Sequence, residues 1–249
     1  LAREMTVELQ AIRDEARATA IANNLPQTRA LIAKGVSFGS ITVLPNGKID
    51  PTGIDGVDWD LIVKPFHQKG AVVSLREFTN NAMNHHHGIQ TVERFGLGVD
   101  ADGDGVVNEL SVGDVTAATI YQAALNIPQQ VMPKGDRARV QVVRHGQEMF
   151  HTIGCTTCHV PEFILQSRLF TEPNPFNPAG NLRVSDVPVP YAYDMTRDGE
   201  KPNVERGPHG TAIIFPFTDL KRHNLNDAQI NHFDNELVPQ GKLNGFAPE

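Results

Sequence analysis

The pentad Cys155-Thr156-Thr157-Cys158-His159 restricts this chain more than any other stretch. Two thiols three positions apart, followed directly by an imidazole, form the C-x-x-C-H signature for covalent attachment of a c-type haem. The chemistry sets the spacing. Two thiols add across the two vinyl groups of one porphyrin, so they must lie a short, fixed distance apart, and the adjoining histidine then fills one axial position of the iron. Half of a zinc site is the competing reading of C-x-x-C, but a structural zinc needs four ligands and the chain has only 2 cysteines. A Cys155–Cys158 disulfide would close a very short loop and stabilise little. Cys155, Cys158 and His159 are therefore read as haem ligands. Phe150 is expected to pack on the porphyrin, and Gly154 to let the chain turn close to it.

The chain has 249 residues, enough for one large domain or two small ones. We place a helical domain with a hairpin, a histidine-rich helix and a calcium-like loop at 1–134, and a haem domain at 135–249. Lys plus Arg is 22 against 29 Asp plus Glu, a formal charge of −7 with no Lys/Arg run, which argues against a nucleic-acid partner. No apolar stretch approaches the length of a membrane span. The chain opens on Leu1 with no signal peptide, which reads as a processed or partial product. Aromatic residues are only 6%, so a porphyrin is expected to replace part of the usual aromatic core.

Residues 3–24 read as a helix with Leu9, Ile12, Ala16 and Ala20 at helical spacing, broken by Pro26. A short helix is predicted over Gln27–Lys34, with Gly35 at its C′ position. Val36–Val43 alternates as a strand, and Asn46-Gly47 is the dipeptide that a tight hairpin turn prefers. Asp55–Phe66 carries no firm signal. Ser74 and Glu77 form a capping box for a helix whose apolar stripe is Leu75, Phe78 and Ala82. Extending that stripe by one turn puts His85 or His86 on the buried face; the competing reading of the His85-His86-His87 triplet is a solvated run.

Asp100, Asp102 and Asp104 followed by Gly105 match the opening half of an EF-hand-type loop. We predict Ca2+ there, held by these carboxylates, the Val106 carbonyl and Glu109. Ser111 occupies the position of the usual closing glutamate, and Asp114 is a second source for that carboxylate. An Asx-rich turn is the alternative. Asp114 reads as the N-cap of a helix over 115–125, and Asp136 as the start of one presenting Val140, Val143 and Phe150. Beyond the pentad, proline-rich loops over 161–217 are expected to wrap the haem edge. A short ordered stretch, Thr218–His223, and a helix over Asp227–Leu237 follow. The fold class expected is mainly α: cytochrome c-like haem domains with long irregular loops and a small β-hairpin.

Several stretches together resemble one family. They are Val36-Ser37-Phe38-Gly39, Lys64-Pro65-Phe66 with Lys69-Gly70, Ser74-Leu75-Arg76-Glu77-Phe78, Asn84 to Gln90, Glu93-Arg94-Phe95-Gly96, Gly154 to His159, Glu172 to Asn177 and Thr218 to His223. They look like the di-haem oxidoreductases, distantly related to the bacterial di-haem cytochrome c peroxidases. The resemblance covers nearly the whole chain. It implies two c-type haems, one binding peroxide and one relaying electrons, a calcium ion near the haems, and an extracytoplasmic, periplasmic location. The chain has one C-x-x-C-H where the family has two, so a second haem is expected only in a longer protein.

Two functions follow. One is a peroxidase-like oxidoreductase with an open or displaceable iron position, for which His85, His86 and Glu93 are acid–base candidates by chemistry alone. The other is an electron-transfer or haem-assembly cytochrome with no substrate of its own. A small redox protein or another cytochrome is the expected electron partner, with peroxide as the candidate substrate. For the far side of the iron, His223 leads, because a histidine recurs at that place in the resembling family. The main rival reading makes His223 a mere surface residue, and Met132, Met149 and Met195 are the weaker alternatives as ligands.

Overall fold

The computed structural model describes residues 1–67 and 70–223. Along the chain the elements are α1 (Ala2–Asn23), β1 (Gln27–Ala33), β2 (Val36–Val43), β3 (Ile49–Asp50), α2 (Leu75–His87), α3 (Val92–Phe95), α4 (Val112–Ala123) and α5 (Arg137–Thr152). After these come β4 (Phe163–Leu165), β5 (Leu169–Glu172), β6 (Tyr191–Asp194), β7 (Glu205–Arg206) and β8 (Ala212–Ile214). The helix predicted over Asp227–Leu237 lies outside the described residues. Helix takes up only 34% and strand 17% of the described residues, and the strands form small antiparallel sheets. The mainly-α, cytochrome c-like fold is therefore overturned.

Two local misreadings account for that. Gln27–Ala33 is a strand, not a helix, and pairs with β2 from Gln27↔Val43 to Ala33↔Val36. Lys34 and Gly35 both have positive φ, so Gly35 belongs to a two-residue hairpin turn and does not cap a helix. The stretch read as continuous loop, 161–217, holds β4 to β8. Each of these strands is only two to four residues long, too short for alternation to declare itself.

The chain divides into two units. The first takes Leu1–Gln122, Thr171–Tyr191 and the described residues from Leu220; the second takes Ala123–Phe170 and Ala192–Asp219. In the first, α1 packs on β1 and β2. Met5, Leu9, Ala16 and Ala20 meet a sheet whose Leu31, Phe38, Ile41 and Val43 are fully buried. Each large side chain so buried contributes about 1.5–3 kcal/mol of transfer free energy. Asn24, in the left-handed conformation, ends α1 before Pro26. Asn46-Gly47 turns the chain from β2 into β3, with Gly47 N–H donating to the Leu44 carbonyl at 2.9 Å.

Helix α2 departs from its predicted face. Ser74 caps it, accepting from Glu77 N–H at 3.1 Å, and Gly88 closes it at φ 68°. Its buried positions, however, are the polar Arg76, Thr79 and Asn80 rather than the apolar stripe of Leu75, Phe78 and Ala82. Arg76 is completely buried. It pairs with Glu93 and Glu172 and donates to Thr116 Oγ1 at 2.6 Å. Asn80 Nδ2 donates to Asn181 Oδ1 at 2.8 Å, Leu182 N–H to Glu93 Oε2 at 2.8 Å, and Ser74 Oγ to Asn177 Oδ1 at 2.6 Å. This polar set ties the segment after β5 to α2 and α3.

One guanidinium thus serves two buried carboxylates. Burial pushes the Glu172 carboxyl above its usual range, against the opposing pull of Arg76. A carboxyl raised in the folded state stabilises fully below its unfolded pKa of about 4.3, and that stabilisation is lost as pH rises through the folded value. Arg76→Ala, which leaves two buried carboxylates uncompensated, should cost about 3–5 kcal/mol in denaturant unfolding. Glu172→Gln should keep the fold and flatten the loss of stability on the rising-pH side. A melting temperature unchanged in Arg76→Ala would contradict this account.

Candidate functional site

In the second unit, α5 begins as expected at Asp136, whose side chain accepts from Arg139 N–H at 3.0 Å. It runs to Thr152, and Gly154, at φ 87°, turns the chain out of it. The pentad then curls tightly. Cys155–Thr157 is one 3-10 turn, and His159 N–H reaches back to the Cys155 carbonyl at 2.9 Å. Residues i and i+3 of a 3-10 turn eclipse one another, so Cys155 and Cys158 stand on the same side of the turn. Both thiols are free; Cys155 is half-buried and Cys158 exposed.

The His159 ring is held from behind. Its Nδ1 lies 3.0 Å from the Phe217 carbonyl oxygen, which assigns the proton to Nδ1 and leaves the Nε2 lone pair for a metal. Phe150 stacks obliquely beside the imidazole, ring centres 6.0 Å apart, and meets Phe217 edge-on at 6.1 Å. Phe217 is the one site residue that sequence reading missed. Its part is played by a backbone carbonyl, and its φ of 49° leaves no mark in composition.

The surroundings also suit a large apolar group. Helix α5 buries none of its residues. Met149 is 40% exposed, Ile153 66% and Phe217 49%. With two free thiols on one side of a turn, an oriented imidazole and uncovered apolar neighbours, the residues present fit a c-type haem.

The remaining candidates lie in the first unit. His85, His86 and His87 are all exposed, so the expectation of a buried His85 or His86 is corrected. The buried positions of α2 are Arg76, Thr79 and Asn80, a face offset from the Leu75, Phe78 and Ala82 stripe on which that expectation rested. Glu93 is buried with both oxygens engaged: Oε1 with Arg76, Oε2 with Asn80 and Leu182 N–H. His223 is half-buried and adjoins Arg222, which pairs with Asp58.

Asp100, Asp102 and Asp104 come together, with one carboxylate oxygen from each within 4.8 Å of the others. Val106 donates its N–H to Asp104 Oδ1 at 2.8 Å. Glu109 stands outside this cluster; its Oε2 accepts from Gln90 N–H at 2.8 Å, and its Oε1 is buried without a partner among the described residues. Asp114 instead closes the start of α4, accepting from Ser111.

No protein family matches the chain, and no curated protein or solved structure does either.

The Gly105 and Gly103 amides donate to the Asp100 carboxylate and hold it below the usual aspartate range. That ordering of the loop is complete above the ordinary pKa and is lost as pH falls through the lowered value. Asp100→Ala should speed amide hydrogen exchange at Gly103 and Gly105 severalfold and leave β1 and β2 protected. Unchanged exchange at both glycines would remove Asp100 as the organiser of the loop.

Proposed function

We propose that this chain is a c-type haem oxidoreductase of the di-haem oxidoreductase kind, working outside the cytoplasm. The observation that supports the reading is the pentad's local geometry: thiols on one side of a turn and His159 anchored through Nδ1 to the Phe217 carbonyl. Cys155 and Cys158 would hold the porphyrin through thioethers, His159 would bind the iron through Nε2, and Phe150 would pack on the ring. When bound, the haem supplies one-electron chemistry and, where an axial position is open, a place for peroxide.

The chain's own residues set the conditions. The Phe217 carbonyl fixes the imidazole tautomer and raises its basicity toward the iron. Phe150 lies beside that imidazole, ring centres 6.0 Å apart, on a face that remains open to solvent. The cluster of Asp100, Asp102 and Asp104 is offered as a Ca2+ site, with the Val106 carbonyl as a further ligand and contacts of about 2.3–2.6 Å. A plain electron-transfer cytochrome is the second reading, favoured by the engagement of both Glu93 oxygens, which takes one acid–base candidate out of play.

Three measurements test the reading. Acid denaturation and organic extraction of the native protein should leave haem on the chain, and Cys155→Ser with Cys158→Ser should lose it entirely. Recovery of free porphyrin in the solvent from the unsubstituted chain would sink the assignment. The spin state then separates the two functions. A five-coordinate, high-spin iron supports the peroxidase-like reading, and a fully low-spin iron that ignores peroxide supports electron transfer alone. Dialysis against a calcium chelator should lower the melting temperature by a few degrees, and no response would remove the ion.

A further inference from the structure

The side of α5 opposite its exposed apolar residues carries an unusual concentration of positive charge. Arg137, Gln141 and Arg144 fall at i, i+4 and i+7, on one stripe of the helix. With Val140, Pro133, Gly135 and Asp136 they line an open cleft of about 460 Å³. Asp136 does not neutralise it. Its carboxylate caps its own helix and pairs with Arg139 at 3.3 Å. From Lys134 to Arg144, four cations stand against that one carboxylate, in a chain whose formal charge is −7.

Several cations elsewhere have acidic partners. Lys34 pairs with Glu4, Lys64 with Asp58, Arg168 with Asp194 and Lys221 with Asp55. Among the described residues, no carboxylate lies within ion-pairing distance of Lys134, Arg137 or Arg144, and all three are exposed. Val140 gives the cleft an apolar floor, and Val131, close by in sequence, is 82% exposed. The charged stripe also lies on the helix that delivers the pentad. Arg144 precedes the end of α5 by eight residues, about 12 Å of helical rise.

We propose that the Arg137–Gln141–Arg144 face of α5 is the docking surface for an acidic protein, a small electron carrier whose contact surface is rich in Asp and Glu. This rests on the haem reading above. Free guanidinium groups take carboxylates in forked pairs. A local positive field on a chain of negative formal charge favours approach of an acidic partner to this face. Weak electron-transfer encounters are small, below about 1,200 Å² in total, which one helix face and its flanking loop can provide. A nucleic acid is the poorer fit. Its phosphates extend beyond one helix face and would meet the excess of carboxylates on the rest of the chain.

The test uses the full chain and zinc-substituted, 15N-labelled plastocyanin as an acidic, redox-inert probe, so that binding is read by NMR independently of electron transfer. Shift changes should map to the probe's acidic face, and affinity should fall about tenfold or more between 10 and 200 mM NaCl, as screening of exposed charges requires. Arg137→Glu with Arg144→Glu should abolish binding, and the single Arg144→Gln should weaken it severalfold with an unchanged melting curve. Arg17→Glu, an exposed change on α1, should leave it as it was. Retention of full affinity in the double variant, absence of salt dependence, or tighter binding of a mixed-sequence DNA duplex overturns the proposal. Haem content measured on the same samples keeps the two claims apart. Haem present without docking overturns the docking surface alone, and salt-dependent docking without haem overturns the haem reading alone.

Discussion

The guanidinium of Arg76 is the interaction on which the first unit depends. Completely buried, it holds Glu93 from α3 and Glu172 from the end of β5, and its third nitrogen reaches Thr116 on α4. A guanidinium has five donors in a rigid plane, so it can serve several acceptors at fixed angles where a lysine could not. The consequence is that α2 meets its neighbours through hydrogen bonds whose geometry admits one arrangement. Apolar residues there would have permitted several. The cost is the burial of a second carboxylate, and desolvation raises the Glu172 carboxyl above its usual range.

The same segment shows how polar pairing substitutes for secondary structure. Between Glu172 and Tyr191 only a single 3-10 turn, Val184–Asp186, is regular, yet Asn177 and Asn181 are nearly fully buried. Their amides replace the ladder that a strand would have supplied: Asn177 bonds Ser74 and the Leu182 carbonyl, and Asn181 bonds Asn80. An irregular backbone can be buried only if its donors and acceptors are met in this way.

The second unit has a different economy. Its buried apolar residues are few, among them Phe163, Leu165, Tyr193 and Ala212, while Met149, Ile153 and Phe217 remain partly open. A unit with so small a core gains from a large apolar prosthetic group, which is consistent with the haem proposed for the pentad. The orientation of His159 comes from a carbonyl 58 positions further along, so the site is assembled by the unit's fold and not by the motif alone.

Features written in a few adjacent residues were legible in the sequence. Helix α1 with its buried Leu9, Ala16 and Ala20, strand β2, the Asn46-Gly47 turn, the Ser74 and Asp136 caps, the turn at Gly154 and the spacing of the pentad all depend on neighbours within one or two turns of chain. Local sterics and hydrogen bonding decide such features before any tertiary contact forms. Tertiary structure alone decided the rest. Gln27–Ala33 became a strand because β2 was there to pair with it, although Gly35 served a helix cap equally well on paper. The buried face of α2 went to Arg76, Thr79 and Asn80 because Glu93, Glu172 and Asn181, 13 to 101 positions away, supplied partners that no local pattern reveals. His85 and His86 were left in solvent for the same reason. Burial of a polar side chain is settled by whether distant groups satisfy it, and that is known only when the chain has folded.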